Sequence, residues 1–223
     1  MDDSGHIPGE AVPPAEADRS STTPRKLERR AMPLLYVVRH GETDWNRVGR
    51  LQGQRDIPLN ESGRLQAARN GQALKEIVRD PEGLACVASP LGRTRETMEI
   101  IRRTMGLDPH AYRTDDRLKE LTLGDWEGLT LAELEKRDPA GYRERRKRRW
   151  SVVPPHGESY EMLTGRVSGA LAAIESDCLI VAHGGVMRAI RVLLCGVDPQ
   201  RAPYLPTPQD RVLIIDGGQV EIV

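Results

Sequence analysis

The chain reads as an α/β protein built on a mostly parallel sheet with helices on its two faces, and three observations carry that reading. Two continuous apolar runs, residues 34–38 and 178–182, end in histidine turns, Arg39-His40-Gly41 and His183-Gly184-Gly185. A third run, 84–88, leads directly into Ser89-Pro90, a pair suited to starting a helix. Runs that are apolar at every position, with no alternation, suit strands buried on both faces. Ligands in open α/β sheets collect beyond the carboxyl ends of the strands, so the two histidine turns are expected to share one pocket.

Residues 1–31 hold prolines, small residues and charges with few large apolar side chains. Such a segment cannot offset the entropy of ordering and is predicted to be a disordered tail ahead of one domain spanning 32–223. Its opening Met1-Asp2-Asp3-Ser4 lacks a basic start and an apolar core, and does not read as a secretory signal. After the first strand, the loop through Pro58 and Asn60 leads to Ser62-Gly63. Leu65, Ala68, Leu74, Ile77 and Val78 then give an imperfect helical stripe. The strand at 84–88 is followed by a helix with Ser89 as N-cap and Pro90 at its first position. Its seam is Leu91, Met98, Ile101 and Met105, and Gly106 ends it. Arg93 falls in the first turn of that helix. Helical side chains lean toward the N-terminus, so it is expected to reach over the strand edge toward His40.

Leu163, Val167, Ala170, Leu171 and Ile174 mark a further helix packed on the sheet. After the strand at 178–182, Val186, Ala189, Ile190 and Leu193 mark another, up to Gly196. The glycine turn between them offers backbone amides and a positive helix end to an anion. Segments 211–215 and 219–223 flank Asp216-Gly217-Gly218 as a closing hairpin.

Lysine plus arginine and aspartate plus glutamate stand at 33 each, so no net field favours nucleic acid or an anionic membrane. No segment is long and apolar enough for a bilayer span. The basic run Arg143-Glu144-Arg145-Arg146-Lys147-Arg148-Arg149 lacks interleaved stacking aromatics, and its default reading is a solvated helical face, not a nucleic-acid site. Three cysteines, Cys86, Cys178 and Cys195, sit in apolar runs as small hydrophobes, which fits a reducing cytoplasm. Phenylalanine is absent, so leucine, isoleucine, valine, methionine and alanine must fill the core. His6, His110 and His156 have no ligand-like spacing, and no His-Glu-x-x-His or paired-cysteine pattern occurs, so neither a catalytic metal nor a cofactor is expected.

Chemistry concentrates at the first turn. Arginine presents a planar fork to phosphate oxygens, and an imidazole beside it can take a phosphoryl group as a covalent nucleophile. The run Arg39-His40-Gly41-Glu42-Thr43 with Trp45-Asn46 resembles the signature of the histidine phosphatase superfamily, the phosphoglycerate mutase-like family. Four further segments match in order. They are Leu51-Gln52-Gly53 with Asp56-Ile57-Pro58-Leu59; Ser89-Pro90-Leu91 with Arg93; Leu118-Lys119-Glu120 leading to Gly124-Asp125-Trp126-Glu127-Gly128; and Ala182-His183-Gly184-Gly185. Together they cover roughly residues 34–215.

The resemblance implies a three-layer α/β/α sandwich and a phosphomonoester hydrolase acting through a covalent phosphohistidine on a small phosphorylated metabolite. It assigns the attack to His40, the phosphoryl oxygens to Arg39, Arg93 and His183, and an orienting role to Asn46. Glu120 would give a proton to the leaving group and later activate water. A group in that role must hold its proton near neutral pH, which burial and a phosphate dianion favour. Asp115, Asp116 and Glu127 stay open as alternatives. Gln52 and Gly53 match a loop that closes on substrate, Thr43 is a candidate hydroxyl, and Gly184 belongs to the second anion-facing turn. Trp45 and Trp126 are expected to brace loops. Gly157-Glu158-Ser159 recurs beside the pocket in related enzymes and equally resembles a helix start.

The segment between the Glu120 motif and residue 157 lies over the active site in this family, which would let one or two arginines of the basic run grip a second anionic group. That segment is shorter than in cofactor-dependent phosphoglycerate mutases, which favours hydrolysis over mutase-type transfer. A non-catalytic phosphate-binding module is the remaining alternative. A sugar phosphate, a phosphoglycerate derivative and a nucleoside phosphate such as ribazole phosphate all fit the motifs, and a homodimer is left open.

Overall fold

The computed structural model describes residues 32–223, so the tail expected at 1–31 lies outside the described residues. Strand β1 (Leu35–Arg39) opens the domain and is followed by a single-turn helix α1 (Asp44–Arg47) and a long helix α2 (Glu61–Ile77). Next come β2 (Ala85–Ala88), α3 (Gly92–Met105) and the short β3 (Arg113–Thr114). Two 3-10 turns lead to α4 (Leu131–Arg137), α5 (Pro139–Lys147) and α6 (Tyr160–Ala172). The chain closes with β4 (Cys178–Ala182), α7 (Gly184–Cys195), β5 (Val212–Asp216) and β6 (Gln219–Ile222).

The strands form one sheet in the order β3-β2-β4-β1-β5-β6. The first four in that order are parallel, while β5 and β6 run antiparallel as the expected hairpin. All five residues of β4 are buried, as its uniform apolarity requires. Alternate residues feed two separate cores. Leu35, Val37, Cys178, Ile180 and Ala182 meet Leu163, Val167, Val186 and Ile190 from α6 and α7. Tyr36, Val38, Leu179 and Val181 meet Leu74, Met98 and Ile101 from α2 and α3. Helices on both faces of a buried sheet make the three-layer sandwich.

Register brings the strand ends together. Arg39 pairs with Ala182 and Val38 with Val181, while Ala88 of β2 also pairs with Val181. His40 N donates to Ala182 O at 3.0 Å and Ser89 N to Val181 O at 3.0 Å. His40 and His183 therefore leave the sheet at the same rung, with Ser89 one step before them on the neighbouring strand.

Several expectations need correction. On α2 the buried positions are Gly63, Ala67, Asn70, Gly71 and Leu74, while Leu65 is exposed. The true face is made of small residues because α2 lies hard against α3: a β-carbon on Gly71 would sit 2.8 Å from Thr104 Cβ. Hydrophobicity alone finds only part of that face: Leu74 and Val78 are buried and Ile77 packs on the same core, but Leu65 is not part of it. Helix α3 begins at Gly92, not at Ser89-Pro90, and its first amide is capped from a distant loop, Gly92 N donating to Asp56 Oδ2 at 2.8 Å. Periodicity does not register α1, β3 and α4, which are too short, while α5 carries most of the basic run read as a helical face.

Burial raises the Cys86 thiol, and it pushes Cys178 up to about 12, so both act as inert small hydrophobes. Among the described residues, no helix is long and apolar enough to cross a membrane.

Candidate active site

A cavity of about 180 Å³ opens above the carboxyl ends of β1, β2 and β4. At its floor, His40 Nδ1 lies 2.8 Å from Gly41 O. A carbonyl only accepts, so Nδ1 carries the ring hydrogen and Nε2 keeps the lone pair. Burial first, then the charges of Arg93 and Arg39, hold this imidazole well below its ordinary value. It is therefore neutral and nucleophilic, aimed into a site of cations.

His183 stands against His40, with ring centroids 5.2 Å apart and planes at 62°. It is completely buried behind the cavity lining, with Nε2 2.8 Å from Ser89 Oγ and no hydrogen-bond partner for Nδ1 among the described residues. Burial, then Arg93, His40 and Arg39, keep it neutral as well. Arg39 donates through Nη1 to Thr207 O at 2.9 Å, and its buried Nε likewise lacks a partner. Two buried donor-capable atoms left unmatched beside a neutral nucleophile suit an incoming oxyanion, since unpaired buried polar groups are otherwise costly.

Arg93 is 1% exposed and holds the loop that follows α1. Its Nη2 donates to Gly53 O at 2.8 Å and its Nη1 to Arg55 O at 2.6 Å. With the Gln52 carboxamide oxygen turned toward Arg93, it accepts from Nη1 and Nε at 3.0 Å each, while its nitrogen meets Thr43 Oγ1 at 2.8 Å. Desolvation in this setting lowers the Arg93 guanidinium to about 10, leaving it charged at neutral pH.

Asn46 lines the cavity, and its Oδ1 accepts from Gln209 Nε2 at 3.0 Å and from Thr43 N at 3.3 Å. Gln209 Nε2 also reaches His40 O at 3.0 Å. Thr43, expected as a pocket hydroxyl, is fully buried below the lining. Its Oγ1 caps α1 by accepting from Asn46 N and meets Gln52, so the correction is from ligand to scaffold.

Glu120 reaches the cavity from the opposite side, and its main-chain oxygen accepts from Gln54 Nε2 and Arg166 Nη2 at 2.9 Å each. Its Oε1 accepts from Leu121 N at 2.8 Å and its Oε2 from Gly185 N at 3.1 Å. A β-carbon at residue 185 would collide with Oε1, so glycine is required for this approach. Among the described residues, the acidic side chain that meets the α7 end is thus Glu120, and it uses Gly185. Gly184, the expected member, does not line the cavity.

The alternatives to Glu120 are occupied elsewhere. Hydrogen bonds from Arg117 lower the Asp115 carboxyl, and Asp116 pairs with Lys119 at 2.8 Å on the surface. Glu127 Oε1 accepts from Gln54 N, Thr122 Oγ1 and Leu123 N, tying loops together. Both readings of 157–159 hold: Ser159 caps α6, and Glu158 lines the cavity. Burial pushes the Glu158 carboxyl up, but the bidentate Arg166 fork at 2.9 Å outweighs it and leaves Glu158 below its usual value. Trp126 lines the cavity while its Nε1 donates to Asp138 Oδ2 at 3.2 Å, and Trp45 packs over Gly128.

The outer wall comes from the basic run and α7. Arg145, Arg149 and Arg188 line the cavity with Tyr160. Arg188 donates to Leu205 O at 3.0 Å and Tyr160 Oη at 3.2 Å, and Arg149 lies over the Tyr204 ring at 5.3 Å. Burial, then the charge of Arg149, lowers the Arg145 guanidinium to about 10. Arg148, by contrast, pairs with Glu144 on the solvent face.

These features have counterparts in known proteins. The sequence profile of the histidine phosphatase superfamily (branch 1) matches residues 35–221. The chain belongs to the histidine phosphatase superfamily. It is 37% identical to an uncharacterized phosphatase, PhoE, of Bacillus subtilis, over 76% of this chain and 81% of that one. It is 36% identical to a probable phosphoglycerate mutase, GpmB, of Escherichia coli, over 69% and 70%. The solved structure of a mycobacterial glucosyl-3-phosphoglycerate phosphatase with VO3 superposes with a TM-score of 0.70 at 29% identity, covering 86% of this chain and 96% of that one.

Sequence reasoning missed Ser89 as a partner of His183, and it missed Gln209, Thr207 and Arg188. Arg188 carried a readable signal, being a charge inside an otherwise apolar helix start one turn beyond the glycines. Thr207 and Gln209 carried none, because they sit in a loop without a motif.

Proposed function

We propose that this superfamily member is a phosphomonoester hydrolase whose substrate carries a second anionic group near the ester. The observation that carries the chemistry is the neutral His40, with its hydrogen fixed on Nδ1 and its lone pair on Nε2, among Arg39, Arg93 and His183. Nε2 attacks phosphorus and the P–O ester bond breaks. The electron pair leaves on oxygen, which takes a proton from Glu120. Glu120 then removes a proton from water, the water oxygen attacks phosphorus, and the P–N bond breaks to release phosphate. Arg39, Arg93, His183 and the Asn46 amide would hold the non-bridging oxygens throughout.

The outer wall supports the second anion. Among the described residues, six arginines line the cavity against two acidic side chains, Glu120 and Glu158, and Glu158 is already paired with Arg166. Arg145 and Arg149 have no carboxylate partner among the described residues. A carboxylate or second phosphate would relieve their mutual repulsion. The phosphatase names of PhoE and the mycobacterial enzyme favour hydrolysis, and three unpaired thiols fit a reducing cytoplasm.

Hydrolysis of a generic aryl phosphate by wild type, its loss in His40→Ala, and an acid-labile phosphoryl adduct on quenching would support this reading. Absence of turnover on a phosphate panel would overturn it in favour of a binding module. Isomerisation of 3-phosphoglycerate on adding bisphosphoglycerate would establish the mutase instead, the activity carried by the name of the GpmB relative.

A further inference from the structure

Ser89 was expected to cap α3, yet that helix begins three residues later on the Asp56 carboxylate, which leaves the serine hydroxyl for other use. The residue is fully buried and its backbone is pinned by Ser89 N to Val181 O at 3.0 Å and by Thr94 Oγ1 to Ser89 O at 2.8 Å. Its Oγ lies 2.8 Å from His183 Nε2. Among the described residues the other hydrogen bond to this oxygen comes from Leu91 N at 3.5 Å, a donor, so no acceptor there competes with the imidazole for the hydroxyl hydrogen.

A neutral imidazole has one N–H and one lone pair, and its partner decides which nitrogen carries which. If His183 Nε2 donated to Ser89, Nδ1 would present a lone pair at a buried position with no partner among the described residues, on a ring packed against that of His40. If the Ser89 hydroxyl donates to Nε2, the ring hydrogen is placed on Nδ1, the atom that has no partner among the described residues. We infer that Ser89 is a positioning residue that fixes the tautomer of His183, making Nδ1–H a neutral hydrogen-bond donor to the phosphoryl group. The inference rests on the phosphohistidine reading for its purpose, but the tautomer itself can be read without turnover.

Two buried histidines then have complementary assignments. The Gly41 carbonyl puts hydrogen on Nδ1 of His40 and frees Nε2 to attack, whereas the serine hydroxyl puts hydrogen on Nδ1 of His183 and makes that atom a clamp. A donor that is uncharged before and after transfer adds no repulsion to the cations beside it and needs no reorganisation as charge moves.

The test uses the full chain labelled with 15N-histidine, wild type and Ser89→Ala, with and without orthovanadate. Long-range nitrogen–proton correlation should show His183 in the Nδ1–H form in wild type and shifted toward the Nε2–H form in Ser89→Ala. The kcat on an aryl phosphate should fall roughly ten- to a hundredfold, with vanadate affinity falling in parallel. Ser89→Thr, which keeps a hydroxyl, should restore the Nδ1–H form and most of the rate, separating tautomer control from packing. An Nδ1–H signal unchanged in Ser89→Ala, or an Nε2–H form in wild type with vanadate bound, overturns the inference. Absence of turnover in wild type, with the tautomer pattern as described, would overturn the phosphatase reading and leave the tautomer assignment standing.

Discussion

The floor and the wall of this cavity are both built from arginines, but they are held in different ways. On the floor, Arg39 and Arg93 are anchored on main-chain oxygens of Thr207, Gly53 and Arg55, and His40 on that of Gly41. On the wall, Arg149 rests on an aromatic ring, Arg188 shares one carbonyl and one phenol, and Arg145 has neither a carboxylate nor a hydrogen bond among the described residues. Backbone anchors fix direction before any ligand arrives, and fixed donors are worth most where charge develops during reaction. Loosely held cations grip substrate and transition state about equally, which affects KM more than kcat. The floor should therefore set the rate and the wall the choice of substrate.

The largest break in that comparison is His40→Ala. Removing the proposed covalent nucleophile should lower turnover by about four orders of magnitude or more while the sheet folds normally. Steady-state kinetics on any accepted phosphate, with circular dichroism as the folding control, decides it. Retention of more than about a hundredth of the rate would move the chemistry away from the floor.

Next in size are the floor arginines. Arg39→Ala should cost about 2–4 kcal/mol of barrier, seen in kcat with little change in KM. Arg93→Ala should do the same and also raise KM, because Arg93 holds Gln52, Gly53 and Arg55 in place as well as lining the proposed phosphoryl site. Equal effects of the two variants on KM would contradict that double role.

The wall gives a smaller and more selective effect. Arg145→Ala combined with Arg149→Ala should leave kcat/KM for a plain aryl phosphate nearly unchanged. It should raise KM roughly ten- to a hundredfold for a phosphomonoester bearing a second anion, the usual value of charged hydrogen bonds. A uniform loss on both substrates would mean the wall belongs to the catalytic floor.

Much of the floor was legible before any coordinates, for a physical reason. Uniformly apolar runs identify strands buried on both faces, and a polar turn directly after such a run must lie at the sheet edge, so His40, His183 and Arg93 could be brought together from spacing and helix direction alone. What failed to show was anything set by close approach or by loops. The α2 face escaped because Gly71 and Ala67 pack through smallness, not hydrophobicity. Ser89 was misassigned because local capping rules do not know that Asp56 arrives from another loop. The Gln209 strap joins residues 163 positions apart, which no local pattern reports. The wall was half legible: the basic run announced itself, but only the fold shows that Arg145 and Arg149 turn inward while Arg148 turns out.

The smallest effect sharpens the comparison through stability. His40 and His183 are buried with depressed affinity for protons, whereas in the unfolded chain both titrate near the ordinary imidazole value of about 6.5. Below that value the unfolded chain takes up protons that the folded floor refuses, so stability falls as pH drops through about 6.5, and above it these groups add no slope. Each histidine can contribute at most about 1.4 kcal/mol per pH unit. The carboxylates held low by arginine, Asp115 and Glu158, lose their contribution only in more acidic solution, below the ordinary carboxylate value, so the span from about pH 5 to 6.5 belongs to the imidazoles. Urea midpoints measured across that span should decline toward acid in wild type, less so in His40→Ala, and least in a variant lacking both rings. The wall arginines stay protonated throughout, so Arg145→Ala should leave the slope untouched. A slope that survives removal of both histidines would show that the floor is not where the proton-refusing groups lie.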